Sequence, residues 1–206
     1  MPAPDQPQLY LITPTAFDLQ SFPDVLASVL DAHEIACVRL SMTSQDADLV
    51  ARAADALREI THARDIALVI AEHIQLVTRL GLDGVHLSDA SKSVRAARKA
   101  LEGDVIVGSH CGTSKHDGMS AGEAGADYIA FGPVRASELG DGGFVPSDLF
   151  SWWSEVVEVP CVAEGGLDLD HVARLAPYTD FFGIGDEIWG QDDPKTALTN
   201  LIAPLR

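Results

Sequence analysis

The sequence predicts a single (β/α)8 TIM barrel, an α/β fold, from three observations. Eight short aliphatic runs alternate with amphipathic stretches at intervals of roughly 20 to 30 residues, as in βαβ units around a parallel sheet. The chain has 206 residues, and a barrel of this kind needs about 200. No Gly-x-Gly-x-x-Gly motif follows the first strand, which disfavours the main alternative, a doubly wound open sheet. We therefore expect one domain over residues 1–206.

Each predicted strand is a run rich in β-branched or aliphatic residues. The eight strands are placed at residues 9–13, 36–40, 67–71, 84–87, 105–108, 128–131, 160–163 and 181–184. The segments between them have helical periodicity. The first of these is predicted to present one face through Val25, Ser28, Val29 and Ala32. Gly81 and Gly125 precede the fourth and sixth strands, and glycine at such a place favours a left-handed helix end.

Composition and charge disfavour several kinds of partner. Acidic residues outnumber basic ones 31 to 14, which gives a formal charge of −17. Such a surface repels nucleic-acid phosphates and anionic lipids, so we expect no nucleic-acid or membrane partner. The sequence has neither an export signal nor a run of about 18 apolar residues. Cys37, Cys111 and Cys161 lack Cys-x-x-Cys spacing, which favours a reducing, cytoplasmic location. Cys111 lies in a polar stretch and is expected to be exposed.

Barrels of this kind bind ligands at the carboxyl ends of their strands and in the loops that follow. The functional question therefore narrows to eight short peptides. A glycine-rich loop at 137–143 follows the sixth strand, and we expect it to be the most mobile internal segment because it has few apolar anchors.

Four of these peptides carry a family resemblance. They are Leu-Tyr-Leu-Ile-Thr at 9–13, Gly-Val-His-Leu at 84–87, Gly-Ala-Asp-Tyr-Ile at 125–129 with Gly-Pro-Val at 132–134, and Val-Ala-Glu-Gly-Gly at 162–166. In order and spacing they resemble the first, fourth, sixth and seventh strands of thiamine-phosphate synthase. The resemblance implies that a thiazole nitrogen displaces diphosphate from a pyrimidine diphosphate, with magnesium assisting, and that the partner molecules are small phosphorylated substrates or products.

The cations implied by this resemblance are only partly present. The second strand of the family carries Gln, Arg and Lys at alternate positions, where this chain has Arg39, Ser41 and Thr43. Arg39 and Arg135 are therefore the candidate catalytic cations for a leaving diphosphate. Ser41 and Thr43 are candidate substrate contacts. Ser137, in the loop after the sixth strand, keeps a hydroxyl where the family has a Thr-x-Thr-Lys loop.

The metal and phosphate positions have also changed. The resemblance implies magnesium, for which Glu72 and Asp89 are the candidate ligands. Candidate phosphate contacts at the ends of strands seven and eight are Gly165, Gly166, Gly185 and Asp186. An acid at position 186 would oppose a phosphate, whereas the glycines could equally serve only as tight turns.

Two histidines and one buried arginine need partners. His86 lies within a strand, which favours a hydrogen-bonded core histidine over a catalytic base. His110 is predicted in a polar loop after strand five and is the candidate catalytic acid or base. Arg39 faces the barrel interior or mouth, where an unpaired guanidinium is costly, so it should meet Glu72, Glu164 or a ligand.

Three functions stay open at this point. The first is thiamine-phosphate synthesis, expected to be weakened or altered by the substituted residues. The second is a thiazole-tautomerase-like enzyme, which needs only acid and base groups. The third is a non-catalytic barrel that binds a thiamine precursor or another small ligand. Tryptophans in or before the outer helices suit either core packing or a contact within a homo-oligomer.

Overall fold

The computed structural model describes residues 6–44, 46–135 and 143–205, and it confirms the predicted barrel. Eight parallel strands pair in sequence order, and the last closes on the first. The strands are β1 (Gln8–Ile12), β2 (Ile35–Leu40), β3 (Ala67–Ala71), β4 (Gly84–Leu87), β5 (Ile106–His110), β6 (Tyr128–Phe131), β7 (Cys161–Glu164) and β8 (Phe181–Ile184). Each lies within about two residues of its predicted position. Ser137 and nearly all of the predicted mobile loop lie outside the described residues.

Helices follow the strands and cover the outside of the barrel. They are α1 (Phe22–Leu30), α2 (Ala47–His62), α3 (Ile74–Leu80), α4 (Val94–Ala100), α5 (Lys115–Glu123), α6 (Ser147–Val156), α7 (Leu169–Leu175), α8 (Asp186–Trp189), α9 (Pro194–Leu201) and a 3₁₀ turn (Ala203–Leu205). Gly81 ends α3 at φ 65° and Gly125 follows α5 at φ 104°, so both predicted left-handed glycines are confirmed. Within the described parts of the chain, no helix is long and apolar enough to span a bilayer.

The larger apolar core lies between the sheet and the helices. Helix α1 joins it through Phe22, Leu26, Val29 and Leu30. The predicted face of this helix was therefore wrong: Val25, Ser28 and Ala32 are exposed. Only Val29 of the predicted face is buried, because the stronger apolar stripe of this helix is Phe22, Leu26, Val29 and Leu30, at the i, i+4, i+7, i+8 spacing. The Phe22 ring packs edge-on against Trp189 on this face.

A second, smaller core fills the barrel interior. It is formed by Tyr10, Cys37, Val69, Tyr128, Ala130 and Val162. The Tyr10 and Tyr128 hydroxyls lie 2.7 Å apart and share a hydrogen bond. The Tyr128 ring fits because β5 presents Gly108 beside it, where an added Cβ would lie 2.0 Å from Tyr128 Cζ. The glycine on β5 thus makes room for Tyr128, whose ring fills the centre of the barrel.

We predict that Gly108→Ala destabilises the protein by about 1–3 kcal/mol or more, because the added methyl group overpacks the interior. Gly143→Ala is the matched control, since nothing lies within 4 Å of a Cβ at that position. Urea unfolding followed by circular dichroism measures both free energies of unfolding. Equal free energies for the two variants would contradict the packing argument.

Candidate functional site

The parallel barrel brings the predicted site residues to one end of the sheet. Arg39 is the penultimate residue of β2, and His110 and Glu164 are the last residues of β5 and β7. Glu72 directly follows β3, and Asp89 is the second residue after β4. Because the carboxyl ends of parallel strands meet on one face, these side chains surround a single mouth.

A buried ion pair lies at the floor of this mouth. Arg39 Nη1 is 3.0 Å from Glu164 Oε2, and both residues are less than a tenth exposed, at 7% and 8%. Burial disfavours both charges, yet each holds the other ionised: the Glu164 carboxylate raises the pKa of Arg39, and the Arg39 guanidinium lowers the pKa of Glu164. Glu164, and not Glu72, is therefore the acid that Arg39 requires.

A hydrogen-bonded chain continues from Arg39 into the barrel interior. Arg39 Nη1 lies 2.7 Å from His86 Nε2, and His86 Nδ1 lies 2.9 Å from the Tyr128 hydroxyl. A guanidinium can only donate, so Nε2 accepts and the proton of the neutral ring is on Nδ1. Burial and the adjacent Arg39 charge both lower the pKa of His86. His86 is thus the core histidine that the sequence favoured.

His110 lies elsewhere than predicted, because β5 extends to this residue and the following loop begins later. Its Nδ1 is 3.0 Å from Glu164 Oε1, at ion-pair distance but out of line for a hydrogen bond. The side chain is 30% exposed, so it meets both Glu164 and the solvent of the mouth. Cys111, expected to be exposed, is instead buried at 4% because its loop folds back onto β6.

Ser41 and Thr43 share a recess with Glu72 at the ends of β2 and β3. This recess has a volume of about 480 Å³ and is also lined by Ala71 and His73. Arg39 Nε donates to Ser41 Oγ at 3.1 Å, which joins the recess to the ion pair. The structure therefore brings together three residues that the sequence assigned to substrate and metal binding.

The two candidate metal ligands both accept hydrogen bonds from the loop after β4. Glu72 Oε1 accepts from the backbone N–H of Ser88 at 2.7 Å, and Asp89 accepts from the Ser93 hydroxyl at 2.5 Å. In the residues that the structure describes, no three His, Cys, Asp or Glu side chains form a metal-binding group. Two carboxylates on adjacent loops match magnesium only if a ligand supplies further oxygens, which is how this ion is usually held beside phosphates.

Backbone N–H groups converge at the ends of β7 and β8, and we call them the N–H nest: those of Gly166, Leu167 and Gly185. All three donate to the carboxylate of Glu187, at 2.8, 3.1 and 2.7 Å respectively. Asp186, predicted from the sequence to be the opposing acid, is exposed and accepts none of these bonds. The acid that occupies this place is Glu187, one position further on, which was not predicted.

Arg135 lies beside the N–H nest. A Cβ added at Gly166 would meet the Arg135 Cβ at 2.9 Å, so the two backbones approach closely, and Arg135 is exposed. Lys115 does not join it at the mouth: its ammonium lies over the Trp152 ring, 4.9 Å from the centroid, on the outer helices.

A larger recess, of about 910 Å³, lies at the opposite end of the barrel. It is lined by residues before and at the starts of β1 and β2 and before β3, among them Gln8, His33 and Arg64. That recess has the greater volume. The buried ion pair of Arg39 and Glu164 and the N–H nest, however, are at the mouth. Polar groups that converge at strand ends define a ligand site better than volume does, so the mouth is the candidate site.

Fold and site together define a parallel (β/α)8 barrel with a charged mouth at the carboxyl ends of its strands. The family model of thiamine monophosphate synthase matches residues 9–180. A thiamine-phosphate synthase of Rhodospirillum centenum is 39% identical over 204 residues, covering 97% of this chain and 98% of that protein. One of Erythrobacter litoralis is 37% identical, covering 90% of each. The chain belongs to the thiamine monophosphate synthase family.

Solved structures agree on the fold. The thiamine phosphate pyrophosphorylase from Pyrococcus furiosus superposes with a TM-score of 0.81 at 20% identity, covering 96% of this chain and 95% of that one. A 3-hexulose-6-phosphate synthase also superposes, with a TM-score of 0.72 at 16% identity. Structural likeness at such low identity establishes the barrel and leaves the chemistry to the site.

The neutral state of His86 predicts a pH dependence of stability. Its pKa lies below the ordinary value of 6.5 in the folded chain. The unfolded chain therefore takes up this proton first, and stability present above pH 6.5 declines as the pH falls, by at most about 1.4 kcal/mol per pH unit. Urea unfolding from pH 7.5 to 5 should show this slope in the wild type and in His116→Gln, an exposed control, and a shallower one in His86→Gln. Equal slopes in all three proteins would refute the assignment.

Proposed function

We propose that this chain catalyses the reaction for which its relatives are named, the condensation of a pyrimidine diphosphate with a thiazole phosphate. The thiazole nitrogen forms a bond to the pyrimidine methylene carbon, and diphosphate leaves with the electron pair of the broken C–O bond. The main support for this proposal is the family match, which spans residues 9–180. The carboxyl ends of the strands in this range form the charged mouth. The names of the relatives favour condensation over the tautomerase-like and non-catalytic alternatives.

Arg39 is suited to a leaving diphosphate because its guanidinium is already fixed. Glu164 and His86 contact Nη1, and Ser41 accepts from Nε, so the guanidinium needs little reorientation as negative charge develops. Glu164 offsets much of its positive charge, however, and Ser41 and Thr43 supply no further cation. Arg135 is the exposed cation that would complete the neutralisation, and Ser137 and His110 remain proposed contacts to substrate.

Magnesium remains part of the proposal, as the ion that would offset charge on the diphosphate. Glu72 and Asp89 would hold it from adjacent loops, with diphosphate oxygens completing the coordination. Both carboxylates already accept hydrogen bonds from the loop after β4. Their positions are therefore set before any ion binds.

We expect this synthesis to be slow. Each missing contact to the transition state typically costs about a hundredfold in rate, and two expected cations are replaced by Ser41 and Thr43. The assay supplies purified protein with the pyrimidine diphosphate, the thiazole phosphate and magnesium, and measures thiamine phosphate. The comparator is a synthase that keeps Arg and Lys at those two positions. Equal turnover would disprove the expected weakness, and absence of any product would disprove the proposed function.

We predict that Arg135→Ala lowers kcat/KM by about tenfold to a hundredfold, because it removes the exposed cation beside the N–H nest. Arg52→Ala is the matched control, since Arg52 is an exposed arginine on the outer helix α2. Steady-state kinetics at fixed ionic strength gives both values. A similar loss in the two variants would point to general electrostatics and contradict a local role for Arg135.

A further inference from the structure

The N–H nest already contains an anion, and that anion belongs to the chain itself. Glu187 Oε1 accepts from Gly166 and Leu167, and Oε2 accepts from Gly185. Both carboxylate oxygens are thus held by donors from two different strand ends. Convergent backbone N–H groups bind carboxylate and phosphate by the same charge-assisted hydrogen bonds, so Glu187 occupies the place that a ligand phosphate would take.

Occupation by Glu187 matters because the nest can be reached from outside. Gly166 is exposed and Arg135 lies next to it, so an incoming phosphate meets both a donor and a cation. Two anions cannot share three donors, and at contact distance their repulsion is strong in a partly buried site. A phosphate must therefore displace Glu187 or bind elsewhere.

The structure provides a place for the displaced side chain. An open recess of about 580 Å³ lies between α7 and α9, and Glu187 lines it together with two amides, Gln191 and Asn200, and two acids, Asp168 and Asp170. The side-chain amides can donate to a carboxylate, and Asp168 already accepts from the backbone N–H of His171. Displacement then needs rotation of one side chain and leaves the backbone of the nest in place.

We propose that Glu187 is an internal competitor for phosphate and sets the ligand preference of this mouth. Its carboxylate weakens the binding of phosphate groups at the N–H nest. It therefore reduces the ratio of affinities by which the mouth prefers a phosphorylated thiazole to the corresponding unphosphorylated alcohol. The part of this inference that names the thiazole rests on the proposed function. The part that concerns phosphate does not, because inorganic phosphate alone probes the nest.

The first test measures the Kd of inorganic phosphate by isothermal titration calorimetry. Glu187→Ala should bind at least about tenfold more tightly than the wild type, since the nest no longer has an internal occupant. Glu187→Gln should show a smaller gain in the same direction, because its NH2 group cannot accept from a backbone N–H. Asp186→Ala and Glu155→Ala remove the same charge from exposed positions and should change Kd by less than about twofold.

A second measurement guards against loss of folding. Removal of Glu187 leaves three donors without their acceptor, so the alanine variant is expected to melt at a lower temperature, and added phosphate should raise its Tm more than that of the wild type. If Glu187 only ties the two loops together, phosphate will shift both Tm values equally. The glutamine variant gives the binding result even if the alanine variant does not fold.

The outcomes separate cleanly. Unchanged or weaker phosphate binding in both Glu187 variants overturns the inference, and so does equal tightening in Asp186→Ala, which would make the effect one of net charge. With thiazole ligands, the ratio of the alcohol Kd to the phosphate Kd should increase about tenfold in Glu187→Ala. Tighter phosphate binding without any thiamine phosphate formed by either protein would sustain the inference while rejecting the proposed function.

Discussion

The buried pair of Arg39 and Glu164 is the interaction on which the mouth of this barrel depends. Removal of either partner would leave the other charged in a site with little solvent, at a cost of about 3–5 kcal/mol. His86 is kept neutral on one side of the pair, and His110 meets Glu164 on the other. This one buried pair of opposite charges thus links side chains from four strands, β2, β4, β5 and β7.

The sequence was sufficient for the fold because barrel strands are short, regular and separated by clear turn signals. The spacing of Gly81 and Gly125 from the strands after them could be translated directly into helix ends. The buried face of α1 was also readable, because Phe22, Leu26, Val29 and Leu30 have the i, i+4, i+7, i+8 spacing of an apolar helical stripe. The prediction failed because it began the stripe at Val25 and included Ser28 and Ala32, which are all exposed.

The site was less predictable for a different reason. Charged residues at strand ends could be assigned to the mouth, but their partners lie on other strands, so the choice between Glu72 and Glu164 for Arg39 required coordinates. Glu187 stands two residues after Gly185, and its carboxylate bonds across to the β7 loop. Whether Asp186 or Glu187 turns inward depends on the short helix α8, and four residues are too few for sequence periodicity to decide between them. The alternation of Tyr128 with Ala130, opposite Gly108, was a usable signal for the interior tyrosine.

The tyrosine pair at the barrel centre determines by which end of the barrel a ligand can enter. Tyr10 and Tyr128, joined by their hydroxyls and packed against Val69 and Val162, close the axis of the barrel below Arg39. Side chains fill the barrel axis at this level, so the mouth and the recess at the opposite end are not joined through the interior. A ligand of the mouth therefore enters and leaves at the same end of the barrel.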